Sequence, residues 1–178
     1  MLLVRNINVV MGHKNMKIAI FLHGTTIMHK NAVGKGQKER VRQSVKREAS
    51  VLDYSSYVPI ENAVKKLKKW VKQGASVIYL SSHEAVEDVE KDKSVLARYG
   101  FPEGKVFFRQ HDEEYKDIVE RIMPDVLIED DCESLGGEKE MIYPHIKPQF
   151  KDKVRSIVVK EFEGIDSLPD DIESLLDR

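Results

Sequence analysis

The 178 residues contain a single cysteine, Cys132, so no disulfide can close within the chain and no multi-cysteine zinc site can form. No apolar run approaches the ~20 residues needed to span a bilayer. Neither charge sign is in excess, with 29 Lys+Arg set against 30 Asp+Glu. Dedicated nucleic-acid and anionic-membrane surfaces need a positive excess, so the balance argues against both kinds of partner. The N-terminus has no basic start leading into a long apolar stretch, so a secretory signal is not expected. Together these absences predict a cytoplasmic protein. Gly34-Lys35-Gly36 lacks the rest of a P-loop and follows no clean strand, which argues against nucleoside-triphosphate binding on that pattern.

What is present suits one globular domain. The apolar fraction of 41% supplies a core, and the length fits a single unit with a small insertion. Met16 abuts the first clear strand, so residues 1–15 read as an N-terminal extension and residues 16–178 as one α/β domain. Whether Met1 or Met16 starts the chain does not follow from the sequence.

Short apolar strands are expected at 17–22, 75–80, 106–108, 125–128 and 156–159. Between them lie helical patterns. Ile60, Ala63, Val64, Leu67, Trp70 and Val71 recur at three- and four-residue steps after Pro59, and Gly74 supplies a C-cap. A second helix over about 84–99 turns Val86, Val89, Val95, Leu96 and Tyr99 inward and stops at Gly100. Ile118, Val119 and Ile122 mark a third, ending near Pro124. Residues 37–47 show only Val41 and Val45 as a thin apolar stripe among Lys and Arg, so about 28–56 reads as a small helical cap insertion or lid. Strands alternating with helices predict a Rossmann-like three-layer sandwich around a central parallel sheet.

In open parallel sheets ligands bind beyond the carboxyl ends of the strands. That rule gathers His23, Gly24 and Thr25, then Ser81, Ser82 and His83, then Arg109, and finally Glu129, Asp130 and Asp131 at one edge. Three adjacent carboxylates repel one another unless a cation or hydrogen-bond donors balance them. The competing structural role for Asp131 is as an N-cap of residues 131–134. His23 at a strand end suits either turn capping or acid–base work, given its near-neutral pKa. If His23 and His83 met the acidic cluster, the mixed set would suit zinc or manganese better than magnesium, which prefers oxygen donors. Cys132 reads as a small packed hydrophobe.

The stretch from Lys17 to Thr26, an apolar strand running into Gly24-Thr25, resembles the first motif of the haloacid dehalogenase-like superfamily, Asp-x-Asp-Gly-Thr. Phe21 and His23 stand at its two Asp positions. The resemblance covers about residues 17–165. It implies phosphate-binding roles for Gly24, Thr25, Thr26, Ser81 (with Ser82 as alternative) and Lys116, and a magnesium role for Glu129, Asp130 and Asp131. Phe21 has no nucleophilic atom, so the superfamily's covalent aspartyl-phosphate mechanism is not expected. Three functions remain open at this point. One is a degenerate member binding a small phosphorylated or other anionic molecule, or a partner, in the old cleft. Another is a hydrolase using metal-activated water, built on His23, His83 and the acidic cluster of Glu129, Asp130 and Asp131, with His23 as acid/base and Lys116 assisting. The last is an interaction module with a vestigial cleft. Oligomeric state and substrate do not follow from the sequence.

Overall fold

The computed structural model describes residues 15–177. The expected N-terminal extension falls almost wholly outside these residues. Among them no helix is long and apolar enough to cross a membrane.

The chain opens with β1 (Lys17–Phe21), whose Ile18, Ala19 and Ile20 are fully buried. A tight turn follows, then β2 (Ile27–Met28) pairs antiparallel with β3 (Val58–Pro59). Between those two short strands lie α1 (Gln37–Val45) and α2 (Ala49–Leu52), the helical insertion. Val41 of α1 is buried while Val45 is exposed, so only half of the thin apolar stripe is used.

From α3 (Ala63–Lys72) onward strands and helices alternate: β4 (Ser76–Leu80), α4 (Val86–Tyr99), β5 (Gly104–Phe107), α5 (Tyr115–Ile122), β6 (Val126–Asp130), α6 (Pro148–Lys151) and β7 (Arg155–Val159). The five long strands form one parallel sheet in the order β5-β4-β1-β6-β7. The architecture is therefore α/β, as the alternating pattern implies. Two inward assignments on α4 fail: Val86 and Tyr99 are exposed, because they occupy its first and last positions, where the helix overhangs the sheet. The α3 pattern likewise ends in a half-exposed Val71.

Each sheet face carries its own core. Ile18, Ile20, Val77, Tyr79 and Ile128 pack with Leu67 and Trp70 of α3 and with Val95 and Leu96 of α4. On the opposite face Ala19, Leu80 and Leu127 pack with Ile118 and Val119 of α5 and with Ile142, Ile146 and Val154. A strand buried on both faces must be apolar throughout, and for this reason β1, β4 and β6 are legible as short continuous runs. From β1 the chain steps outward to β4 and β5, then returns to the far side of β1 for β6 and β7. That reversal places a crevice at the carboxyl end of β1, the usual ligand position in open α/β sheets.

Candidate functional site

The turn after β1 is closed by its own backbone. Gly24 N–H donates to Ile27 O (3.0 Å), and Thr26 and Ile27 N–H both donate to Leu22 O (2.8 and 2.9 Å). Gly24 adopts φ +79°, and a Cβ there would sit 2.8 Å from Asp130 Oδ2 and 3.1 Å from Glu161 Cγ. Glycine is thus required on two counts, conformation and space. The amides of Gly24 and Thr26 are used in shaping the turn, and Thr25 and Thr26 are fully buried beneath it.

Above this turn lies a cavity of about 870 Å³. Its floor is the carboxyl edge of the sheet. The helical insertion forms one wall and the segment around 132–145 the other. Phe21 and His23 share a side of the extended backbone, and both line the cavity. Phe21 meets Tyr115 edge-on, with ring centroids 5.0 Å apart.

On the β4 side a polar chain is built around Asp92, a residue the sequence reading did not select. Asp92 is wholly buried, and its Oδ1 lies 2.9 Å from His23 Nε2. Its Oδ2 accepts the Ser81 hydroxyl at 2.6 Å. Ser81 Oγ in turn accepts the backbone N–H of His83 at 3.1 Å. Ser82 Oγ stands 2.5 Å from His23 Nδ1 and faces the cavity. His83 Nε2 lies 3.7 Å from Asp92 Oδ1, and its ring centroid is 4.6 Å from that of His23. Burial, then the adjacent His23, holds the His83 pKa below the usual histidine range. Tyr54 and Tyr57 from the insertion close over the pair, Tyr54 at 4.1 Å from His83 and Tyr57 at 5.4 Å from His23.

The acidic residues at the end of β6 diverge. Glu129 accepts the backbone N–H groups of Ile142 (2.6 Å) and Tyr143 (3.0 Å). Asp130 accepts Thr25 Oγ1–H (2.8 Å) and Cys132 N–H (2.9 Å). Asp131 pairs with Lys160 (2.8 Å) and accepts Glu161 N–H (3.1 Å). No helix forms at 131–134, so the competing N-cap role is not realised there. Glu161, also not selected from the sequence, joins this end: Ser134 donates to it through its N–H and its hydroxyl, each at 2.6 Å. Burial, reinforced by Asp130 and Asp131, pushes the Glu161 carboxyl up to about 7. Burial raises Glu129 and Asp130 too, and lifts the half-buried Cys132 thiol further from ionisation.

Every carboxylate oxygen of Glu129, Asp130 and Asp131 is therefore already engaged by a separate donor. These residues thus turn to separate donors and not to one another. Nor are they the partners of the histidines. Among the described residues, one group of three His, Cys, Asp or Glu side chains has its ligand atoms within 4.8 Å of one another: His23, His83 and Asp92. The imidazoles meet a carboxylate on α4, not the β6 cluster.

Cations line the cavity as well. Lys116, at the start of α5, pairs with Glu114, and both face the cavity. Arg109 pairs with Glu84 at 2.5 Å and lies 4.7 Å over the Tyr115 ring. Its Nε is buried without a hydrogen-bond partner. Arg47 and Lys139 contribute from the two walls. The site thus has a carboxylate pole under β6 and β7 and a His, Ser, Arg and Lys pole over β4 and β5.

Comparison of the sequence with protein families and with curated proteins gives no match. Solved structures do share the fold. A class C acid phosphatase from Bacillus anthracis, with tungstate bound, aligns at TM-score 0.53 and 13% identity, covering 92% of this chain and 78% of its own. A chain of the Pnkp1/Rnl/Hen1 complex aligns at 0.52 and 15% identity, covering 84% of this chain and 47% of its own. A chain of the Pnkp1/Rnl/Hen1 RNA repair complex aligns at 0.51 and 13%, covering 82% and 43%. The present chain spans less than half the length of those two. The α/β fold is thus one that the acid phosphatase shares. At these identities the likeness is one of architecture, and the chemistry must be argued from the site itself.

Proposed function

We propose that this chain uses a phosphatase-like fold to bind a small phosphorylated or otherwise anionic molecule, without forming an aspartyl-phosphate. One observation carries the reading. The cavity floor presents the Phe21 ring, packed on Tyr115, at the position where the haloacid dehalogenase-like resemblance puts the attacking carboxylate. A phenyl ring can neither attack phosphorus nor coordinate a metal ion, so the covalent route lacks its first step. The cations of the cavity wall remain. Arg109 offers a buried Nε–H with no acceptor, Lys116 supplies a second charge nearby, and Ser82 adds a hydroxyl. An arginine already held by Glu84 and stacked on Tyr115 is pre-organised, which suits it to a tetrahedral oxyanion. The tungstate in the acid phosphatase of like fold is such an oxyanion, and it supports the same ligand class here.

The test is calorimetric titration with inorganic phosphate and tungstate, alongside an assay for turnover of p-nitrophenyl phosphate. Saturable anion binding is expected, weakened about tenfold in Arg109→Ala, in line with ~1.5 kcal/mol for a charged hydrogen bond. Acid-quenched samples should contain no covalent phosphoenzyme. The absence of saturable anion binding, or affinity unchanged in Arg109→Ala, would defeat the reading.

A further inference from the structure

We infer that His23, His83 and Asp92 form a binding site for a divalent cation of the zinc class, with a fourth position open to the cavity. The inference goes beyond the proposed function and rests on it only for the nature of that fourth ligand.

The distances decide first. A tetrahedral ion with bonds of about 2.0–2.1 Å needs donor atoms roughly 3.3 Å apart. His23 Nε2 and His83 Nε2 lie 2.9 and 3.7 Å from Asp92 Oδ1, which brackets that spacing. The ligand atoms of all three residues lie within 4.8 Å of one another. The atoms behind the donors are equally ordered. Ser82 Oγ meets the distal nitrogen of His23, and Ser81 holds the distal oxygen of Asp92. Ser81 Oγ also accepts the backbone N–H of His83, so one buried side chain touches both the Asp92 carboxylate and the His83 main chain. Supporting hydrogen bonds of this kind set ring orientation at metal centres.

One donor atom of the group lacks a partner. His83 Nε2 is buried without a hydrogen-bond partner, a state that native structures rarely leave unresolved. A metal bond satisfies it. Two imidazoles and one carboxylate make a borderline-soft set, which suits zinc and disfavours magnesium. Asp92 also gains a counter-charge for a carboxylate that has no contact with solvent. The competing arrangement is a Ser82–His23–Asp92 relay with the connectivity of an acyl-transfer triad. That relay makes no use of His83 and leaves its buried nitrogen unpaired. Because His23 and His83 line the cavity, the open position faces the side where Arg109 and Lys116 would hold an anion.

The experiment uses the full chain, stripped with a chelator and dialysed against zinc, with cobalt(II) as a spectroscopic probe. We expect one zinc per chain and cobalt bands of tetrahedral intensity. His83→Ala, whose folding is checked by circular dichroism, should weaken zinc at least 100-fold and abolish those bands, and His23→Gln should do the same. Asp130→Asn should leave zinc affinity within a few-fold. Substoichiometric zinc in the parent protein would overturn the site, as would affinity unchanged in His83→Ala or lost equally in Asp130→Asn. Phosphate titration repeated in chelator separates this inference from the proposed function. Anion binding that persists while zinc fails removes the metal site alone; zinc bound with no anion affinity removes the anion reading alone.

Discussion

Glu161 offers a stability test whose sign and size both follow from the site. The carboxyl is 5% exposed and faces Asp130 and Asp131 under the turn that Gly24 closes. Burial first, and those two acids next, raise its pKa from 4.5 to about 7 in the folded chain. Between those values the native state binds more protons at this position than the unfolded state does. Its contribution to stability is thus fully present below pH 4.5 and is lost as pH rises through about 7. At about 1.36 kcal/mol per pH unit the loss approaches ~3 kcal/mol, an upper bound because cavity water screens the charges. Glu161→Gln copies the neutral acid and removes the titration. Its amide oxygen can accept the Ser134 N–H and its amide nitrogen can donate to the Ser134 hydroxyl, so both contacts are kept. Urea denaturation of both proteins from pH 4.5 to 8.5 should show the variant gaining on the parent by roughly 2–3 kcal/mol as pH rises. Subtracting the two curves cancels most of the background from Glu129 and Asp130, whose pKa values are also raised. A flat difference, or one that runs the other way, would refute the burial argument.

Two further outcomes concern the frame of the site. Gly24→Ala should cost about 2 kcal/mol or more, since it adds left-handed strain to a Cβ placed 2.8 Å from Asp130 Oδ2. A Gly24→Ala cost that vanishes when measured on an Asp130→Ala background would locate it in the contact; a cost unchanged on that background would locate it in the backbone. Trp70 is fully buried, and its indole donates to Pro169 O at 3.0 Å, tying the C-terminal segment to α3. Trp70→Ala should cost about 3–5 kcal/mol by chemical denaturation, and a change under 1 kcal/mol would mean that this core is not shared as described.

Parallel strands covered on both faces were readable because burial leaves them no polar positions: Ile18 to Ile20, Val77 to Leu80 and Val126 to Ile128 are runs that little else explains. The strand-end rule likewise collected His23, Ser82, His83, Arg109 and Asp130 at one cavity. It could not say which side chains face one another, since that depends on twist and on the rotamers beyond each strand. Asp92 was missed because it sits mid-helix, far from any strand end. The signal was present nonetheless: with Val89 three residues before it and Val95 three after, Asp92 lies on the apolar stripe of α4, and a carboxylate there must meet a partner inside. Glu161 follows β7 directly and lay within reach of the same rule that selected residues 129–131. Val86 and Tyr99 went wrong for the opposite reason, because helical periodicity continues past the point where the sheet stops covering it.

The divergence of the β6 carboxylates and the convergence on Asp92 both turn on the residues that stand at the end of β1. Adjacent acids at a strand end must be balanced by a shared cation or by separate donors. Phe21 and His23 leave the β1 end with no carboxylate to complete an oxygen cage, so separate donors are the remaining solution. The chain supplies them from its own backbone: Ile142 and Tyr143 for Glu129, Cys132 for Asp130, and residue 161 for Asp131. Those bonds fasten the segment after β6, one wall of the cavity, to its floor. The acids that the resemblance would assign to magnesium are thus each hydrogen-bonded within the chain. On the other side of β1, His23 turns toward β4 and α4, where a buried carboxylate needs nitrogen donors or a cation. A polar centre therefore stands at the switch point of the sheet, on the β4 side of β1, and its donor atoms are mixed nitrogen and oxygen.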